Sequence, residues 1–312
     1  MAIELSNLTF TNQADIVPQS GTEEITNTGI ANTLGGNDEI TGTGIDGNGI
    51  SNFGTINTGG GADTITGKAT GTEFIFGIFN GGTINTGNND DTINGTGGTY
   101  GIFNANDAAI DTGNGDDKIA GIGEVGFSND GGTINTGNGN DIISGTATGG
   151  DFTGIFNGGT INTGNGKDII TGTGGFYGIF NNPGATIDTG NGDDIITGAG
   201  SVGIYNNGII NTGNGQDIVD AVSGGFGGTG TIQLGRGNDI LKGFGSGFFE
   251  GGSGKDTLEL TSGSYTVGIL GTTVSFTGNG IIMNTSEFEK LIAGGTTYDF
   301  TCLSNGQTIT IA

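Results

Sequence analysis

The stretch Ile161-Asn162-Thr163-Gly164-Asn165-Gly166-Lys167-Asp168-Ile169-Ile170-Thr171-Gly172 decides the fold, because the chain repeats it with small changes, most closely from Ile187 to Gly198. Ten copies carry an acidic anchor: Asp38, Asp63, Asp91, Asp117, Asp141, Asp168, Asp194, Asp217, Asp239 and Asp256. Successive anchors lie 25, 28, 26, 24, 27, 26, 23, 22 and 17 residues apart, so the period drifts without breaking. Two residues after each Asp stands an aliphatic side chain, from Ile40 and Ile65 to Leu241 and Leu258. Seven before it runs a second row: Ile56, Ile84, Ile110, Ile134, Ile161, Ile187, Ile210 and Ile232. Self-similarity at such a period marks a repeat architecture.

A third segment completes each period. It reads Gly-Ile-Phe-Asn at 77–80, 101–104, 154–157 and 178–181, with variants at 49–52, 126–129 and 203–206. Three short β-branched stretches separated by Gly-rich turns cannot bury their apolar faces alone. Stacked about 4.8 Å apart, they place Ile on Ile along one continuous core. The expected fold is all-β: a parallel β-solenoid (β-roll or β-helix) of about ten coils, three-sided where the period is near 25 and tapering to two sides as it falls to 17. The unequal spacings predict bulges at one corner, around 70–73 and 149–151. Residues 1–30 lack the motif, and residues 257–312 turn to longer aromatic and aliphatic runs, so both read as caps flanking a 31–256 repeat region.

Composition narrows the chemistry. The 312 residues include 73 Gly and 2 Pro, and 7 basic against 32 acidic residues give 7 − 32 = −25. Such a charge argues against nucleic acid and anionic membranes and in favour of cations. With no His, no Trp and the single thiol of Cys302, Ser-His-Asp catalysis, His-ligated zinc and disulfide frameworks are unavailable. No apolar run approaches the roughly 20 residues of a membrane span, and Met1 to Thr11 has neither a basic start nor a long apolar core.

In the turn from Thr163 to Asp168, alternate glycines permit positive φ, so carbonyls can face the point that the carboxylate faces. The pairs are Gly164 and Gly166, Gly190 and Gly192, Gly235 and Gly237, and Gly252 and Gly254. Convergent hard oxygens suit Ca2+, which takes about 6–8 of them in irregular geometry. Carboxylates stacked about 4.8 Å apart would also repel by roughly 3.5 kcal/mol per pair at an effective dielectric of about 20, so the column should resist folding without cations. The competing reading is a solvated turn acid that caps the backbone locally; repetition beside glycines favours several calcium ions. Asn89 replaces the second glycine of the Asp91 copy and Leu34 replaces a glycine before Asp38, which makes those two turns the least secure.

Gly251-Gly252-Ser253-Gly254-Lys255-Asp256-Thr257-Leu258-Glu259 resembles the nonapeptide of haemolysin-type calcium-binding (RTX) repeats, and 235–241 is a near match. The eight earlier copies carry Thr where that family has its first Gly, and only one turn per period has the motif, so one calcium row is expected, two-sided at most near 235–256. The resemblance implies export by a type I secretion system reading a C-terminal signal within 257–312, and hence an extracellular or cell-surface location where calcium is abundant.

Asn52, Asn80, Asn104, Asn129, Asn157, Asn181 and Asn206 read as a hydrogen-bonded ladder at a corner. Before them stand Ser51, Phe79, Phe103, Ser128, Phe156, Phe180 and Tyr205, and strand alternation puts this row opposite the Ile row two before the Asn. Tolerance of Ser points outward, to an exposed aromatic stripe; the alternative is rings filling a wide core. The function expected is a non-enzymatic, calcium-binding structural protein that self-associates into an extracellular fibre, sheath or surface layer. An ice- or glycan-binding adhesin module is the alternative, with extracellular polysaccharide as a partner. Ice binding wants a flat Thr-x-Thr array, whereas pairs such as Thr160 and Thr163 are three apart. A β-helix polysaccharide-modifying enzyme is disfavoured because Arg236 and the few Lys do not converge on any carboxylates.

Overall fold

The computed structural model describes residues 2–18, 23–71 and 74–312. The chain winds as a parallel β-solenoid whose strands fall into three long sheets of 10, 13 and 14 strands. The period near residue 160 shows the plan. Thr153–Asn157 lies in the first sheet, Thr160–Asn162 in the second, and Ile169–Thr173 in the third, before Tyr177–Asn181 returns to the first. Every step from coil to coil is in register: Ile161 pairs with Ile187, Ile170 with Ile196, and Ile155 with Ile179. The coil thus meets itself once per period, and identical side chains stack.

Burial follows from alternation along these strands. Ile161, Ile170 and Ile179 point inward and are fully buried, as are their counterparts along the rod. Each such burial contributes about 1.5–3 kcal/mol, and three rows of them make one core down the axis. The cross-section narrows where the first and third sheets converge. A Cβ on Gly172 would fall on the carbonyl oxygen of Gly178, which is why the third strand reads Ile-Thr-Gly-Thr with Gly on its inner face.

Ten Asp corners bound about nine full turns rather than ten. The first sheet ends at Phe226–Gly227, while the second continues through Gly247–Glu250 and the third through Ile240–Lys242 and Thr257–Leu260, so the last turns are two-sided as the shortened period predicted. Residues 149–151 do form a turn between two strands, Ile142–Ala147 and Thr153–Asn157; of the other expected bulge, Thr72 and Glu73 lie outside the described residues. At the N-terminal end Ile3–Glu4 pairs with Ile25–Asn27, Ile16–Val17 pairs with the Glu39 strand, and Leu5 closes the core. At the other end Gly263–Leu270, Thr273–Gly278 and Ile281–Ser286 run antiparallel, and Phe276, Met283 and Leu291 continue the core beneath them. Among the described residues no helix is long and apolar enough to cross a membrane.

Candidate metal column

The Asp corner lies between the second and third sheets. Its turns touch from coil to coil at Asn88, Asn114, Asn138, Asn165, Asn191 and Asn214. In the turn before Asp168, Gly164 has φ 91° and Gly166 φ 131°, and the same pair of left-handed residues recurs at Gly190 and Gly192 and at Gly252 and Gly254. Gly235 also lies in that region, whereas Gly237, in the short strand Arg236–Gly237, does not. Leu34 and Asn89 are forced into the same conformation, with φ 75° and 79°, so the turn keeps its shape where the glycine is missing. Close approach adds a second demand. A Cβ on Gly166 would fall on the carbonyl oxygen of Gly139, one coil below.

All ten Asp side chains are buried, none more than 2% exposed. Each accepts, on Oδ1, the backbone N–H of the Asp one coil earlier: Asp141 donates to Asp168 at 2.9 Å, Asp168 to Asp194 at 2.8 Å and Asp194 to Asp217 at 2.8 Å. The other oxygen, Oδ2, is buried without a hydrogen-bond partner in every one of the ten. Among the described residues no Lys or Arg pairs with it; the ion pair between Lys242 and Asp220 lies elsewhere. Beside this row, the Gly139, Gly166 and Gly192 carbonyls accept no hydrogen bond from the described residues. A buried carboxylate oxygen left bare costs on the order of 1–3 kcal/mol or more, and ten in a line are not an accident of packing.

Electrostatics report the same frustration. Burial pushes the carboxyls of Asp117, Asp141, Asp194, Asp217 and Asp239 up to about 7 and that of Asp91 to about 6. The amide each one accepts, together with the Thr hydroxyl beside Asp91, Asp117, Asp141, Asp194 and Asp217, offsets part of this, and neighbouring carboxylates add to it. Asp63, Asp168 and Asp256 are raised by burial as well. The donors available here are carboxylate and carbonyl oxygens with no nitrogen or sulfur, and they sit in a cradle that any Cβ would fill. That set fits a hard cation of flexible coordination, which Ca2+ is, better than Mg2+ with its octahedral demand.

Two residues extend the line beyond the repeat. Asp15 donates its amide to Asp38 Oδ1 at 2.7 Å, and Asp256 donates to Glu289 Oε2 at 2.7 Å. Both could be found from sequence: Asp15 stands 23 residues before Asp38, and each is followed two later by a core aliphatic, Val17 and Leu291. Neither has the glycine turn, and Asp15 spends its carboxylate on the Thr11 amide.

The remaining rows are placed as follows. Asn52, Asn80, Asn104, Asn129, Asn157 and Asn181 each pass an amide N–H to the next Asn at 2.7–2.9 Å, inside the wall. The Phe79 row faces outward, with Ile78, Ile102 and Ile179 on the inner side of the same strands. The threonine spacing needs correction. Thr163 points inward and donates to the Thr189 carbonyl at 3.3 Å, so the outward partner of Thr160 is Asn162, two residues on.

No family model matches the chain, and no curated protein matches it. Among solved structures it is similar to the X-ray crystal structure of a hyperactive, Ca2+-dependent, beta-helical antifreeze protein from an Antarctic bacterium. The identity is 21% over 80% of this chain and 78% of that chain, with a TM-score of 0.42.

Proposed function

We propose that this protein is an extracellular, calcium-stapled solenoid of the haemolysin-type repeat class, which folds as it takes up a row of Ca2+ ions and then serves as a rigid structural rod. The observation that carries this reading is the file of ten buried Asp Oδ2 atoms without partners. Bound Ca2+ supplies the positive charge that the chain itself does not bring to this corner. The residues that would hold it are the ten Asp, with the carbonyls of the second glycine row, as at Gly139, Gly166 and Gly192. Because the ions would bind the folded chain and not the unfolded one, calcium would drive folding by mass action, which suits a protein exported by a C-terminal signal into a calcium-rich medium. Lateral association of rods belongs to the same reading. The outer acids Asp90, Asp116 and Asp193 give one oxygen to a backbone amide and leave the other for a cation shared between rods.

Excess chelator at pH 7.5 should abolish the far-UV β signal, and Ca2+ but not Mg2+ should restore it. An unchanged spectrum in chelator overturns the reading.

A second reading has its own observation. The second sheet presents, outward, Thr and Asn or Asp two residues apart on successive coils, as at Thr55 and Asn57, Thr133 and Asn135, Thr160 and Asn162, and Thr186 and Asp188. Side-chain bonds from Asn135 to Asp111 and from Asn211 to Asp188, both 3.1 Å, hold that row in line. A flat lattice of methyls, hydroxyls and amides is suited to ordered water or ice. Thermal hysteresis in calcium, lost in Thr133→Tyr with Thr160→Tyr, would support it; none at millimolar protein would dismiss it.

A further inference from the structure

The outward side of the first sheet carries two blocks of stacked rings. Phe79 and Phe103 stack at 5.8 Å and 8° in the first block; Phe156, Phe180 and Tyr205 stack at 5.6 and 5.3 Å in the second. A neighbouring row adds Phe76 on Tyr100 at 5.3 Å. Between the blocks one coil breaks both rows, since Ser128 stands in register between Phe103 and Phe156, and Val125 pairs with Tyr100. The break leaves a slot of about 200 Å³, floored by Ser128 and Val125, walled by Phe103 and Phe156, with Thr153, Tyr100 and Asp130 around its mouth. Ser128 is only 3% exposed although it points outward, and among the described residues its hydroxyl has no partner. Asp130 is exposed and lies close enough to raise the Tyr100 phenol, after burial, the larger cause.

We infer that this slot is a saccharide subsite that takes one neutral, gluco-configured β-pyranose ring of a glycan, sandwiched between Phe103 and Phe156. The width argues for it. The Phe103 and Phe156 strands stand two strand spacings, about 9.6 Å, apart, which leaves room for one ring between the two walls. Both walls are apolar, so both faces of the guest must be C–H faces, which an all-equatorial pyranose offers and a ring with an axial hydroxyl does not. The equatorial hydroxyls then point at the mouth, where Asp130 accepts and the Thr153 and Tyr100 hydroxyls both donate and accept. Asp130 and a net charge of −25 exclude uronates and sulfated glycans. The inference is separate from the calcium reading, needing only a folded rod.

The test titrates cellohexaose into calcium-loaded protein by calorimetry, with oligogalacturonate as control. Ser128→Phe is the decisive variant. The same outward position is Phe in the coils on either side, so this change fills the slot, continues the stack and should leave the circular dichroism spectrum and melting unchanged. Parent protein should bind cellohexaose and not oligogalacturonate, and Ser128→Phe should bind at least tenfold more weakly. Absence of binding by a folded parent overturns the inference, as does equal binding by Ser128→Phe. So does a sugar-independent dimer in sedimentation that Ser128→Phe dissolves, for the occupant is then a second copy. A chain that fails to fold in calcium fails the calcium reading instead, and circular dichroism tells the two apart.

Discussion

Two corners of this solenoid stack one polar side chain per turn, and they solve the problem differently. At one, Asn157 gives one amide N–H to Asn181 Oδ1 at 2.9 Å and reaches the Thr186 carbonyl at 3.0 Å, while its own Oδ1 accepts from Asn129 at 2.9 Å. A carboxamide carries both donors and an acceptor, so a file of them satisfies itself. Among the described residues its loose end is Asn27 Oδ1, which has no Asn before it. At the other corner each Asp has only acceptors. The backbone amide fills one oxygen, and among the described residues none fills the second. A ladder of amides is complete in itself, whereas a ladder of carboxylates is half of a structure whose other half is cationic.

Acidity should separate the corners most widely. In the calcium-free folded chain the carboxyls near 7 stand against about 3.9 in an unfolded one. Raised folded values mean that folding is favoured where these groups are protonated. The penalty is absent below about pH 4, grows between 4 and 7, and is complete above 7. In chelator the β signal lost at pH 8 should therefore return on acidification to about pH 5, in dilute protein. With calcium the trend reverses, since protons compete with the ion. The amide corner does not titrate, so a spectrum in chelator that stays unfolded at pH 5 would break the link between the Asp column and the instability.

Exchanging the two side chains is the next test. Asn157→Asp would aim a carboxylate at the Asn181, Gly159 and Thr186 oxygens that its amide now serves, with no glycine cradle to admit a cation. The expected loss in urea unfolding is about 3–5 kcal/mol, not rescued by saturating calcium. Asp168→Asn keeps the Oδ1 acceptor for Asp141 and removes one charge, so it should cost less in calcium and gain stability in chelator. Equal losses in calcium would mean that the corners are interchangeable.

The legible part of this fold is the part that repeats. Apolar rows, mostly Ile, two after and seven before the Asp fix strand register, and the Thr-Gly-Asn-Gly turn fixes where the carboxylates converge. Ser51 and Ser128 point to an outward Phe row but leave rings filling a wide core as an alternative. What was hidden is what depends on one side chain's choice of partner. Thr163 lies at the start of a turn, where spacing cannot tell whether it faces out with Thr160 or in toward the Thr189 carbonyl. Glu289 and Asp15 continue the column without its glycines, since each ends a stack and has one neighbouring coil to accommodate instead of two. The slot at Ser128 is invisible in any single copy and arises only where that copy is laid between its neighbours.

The smallest effect tests whether the Asp corner is one structure throughout or only where its glycines are intact. Leu34 holds φ 75° in the place where the Asp168 turn has Gly164, and Asn89 holds 79° in the place of Gly166. A left-handed Leu costs about 1–2 kcal/mol, and Asn, whose short polar side chain tolerates that region, costs less. Leu34 is 48% exposed, so its removal forfeits little burial. Leu34→Gly should therefore relieve strain, less the roughly 0.5–1 kcal/mol that glycine's freer unfolded chain takes back. The net is a rise of about 1–2 °C in melting temperature in calcium, read by calorimetry. Asn89→Gly should gain less. The reverse change, Gly164→Leu, should lose far more than Leu34→Gly gains, because its Cβ would land on the Gly137 carbonyl oxygen as well as facing the wrong φ. If Leu34→Gly instead lowers the melting temperature, the first turn is held by its Leu and is not a copy of the others, and the column of equivalent sites begins at Asp63.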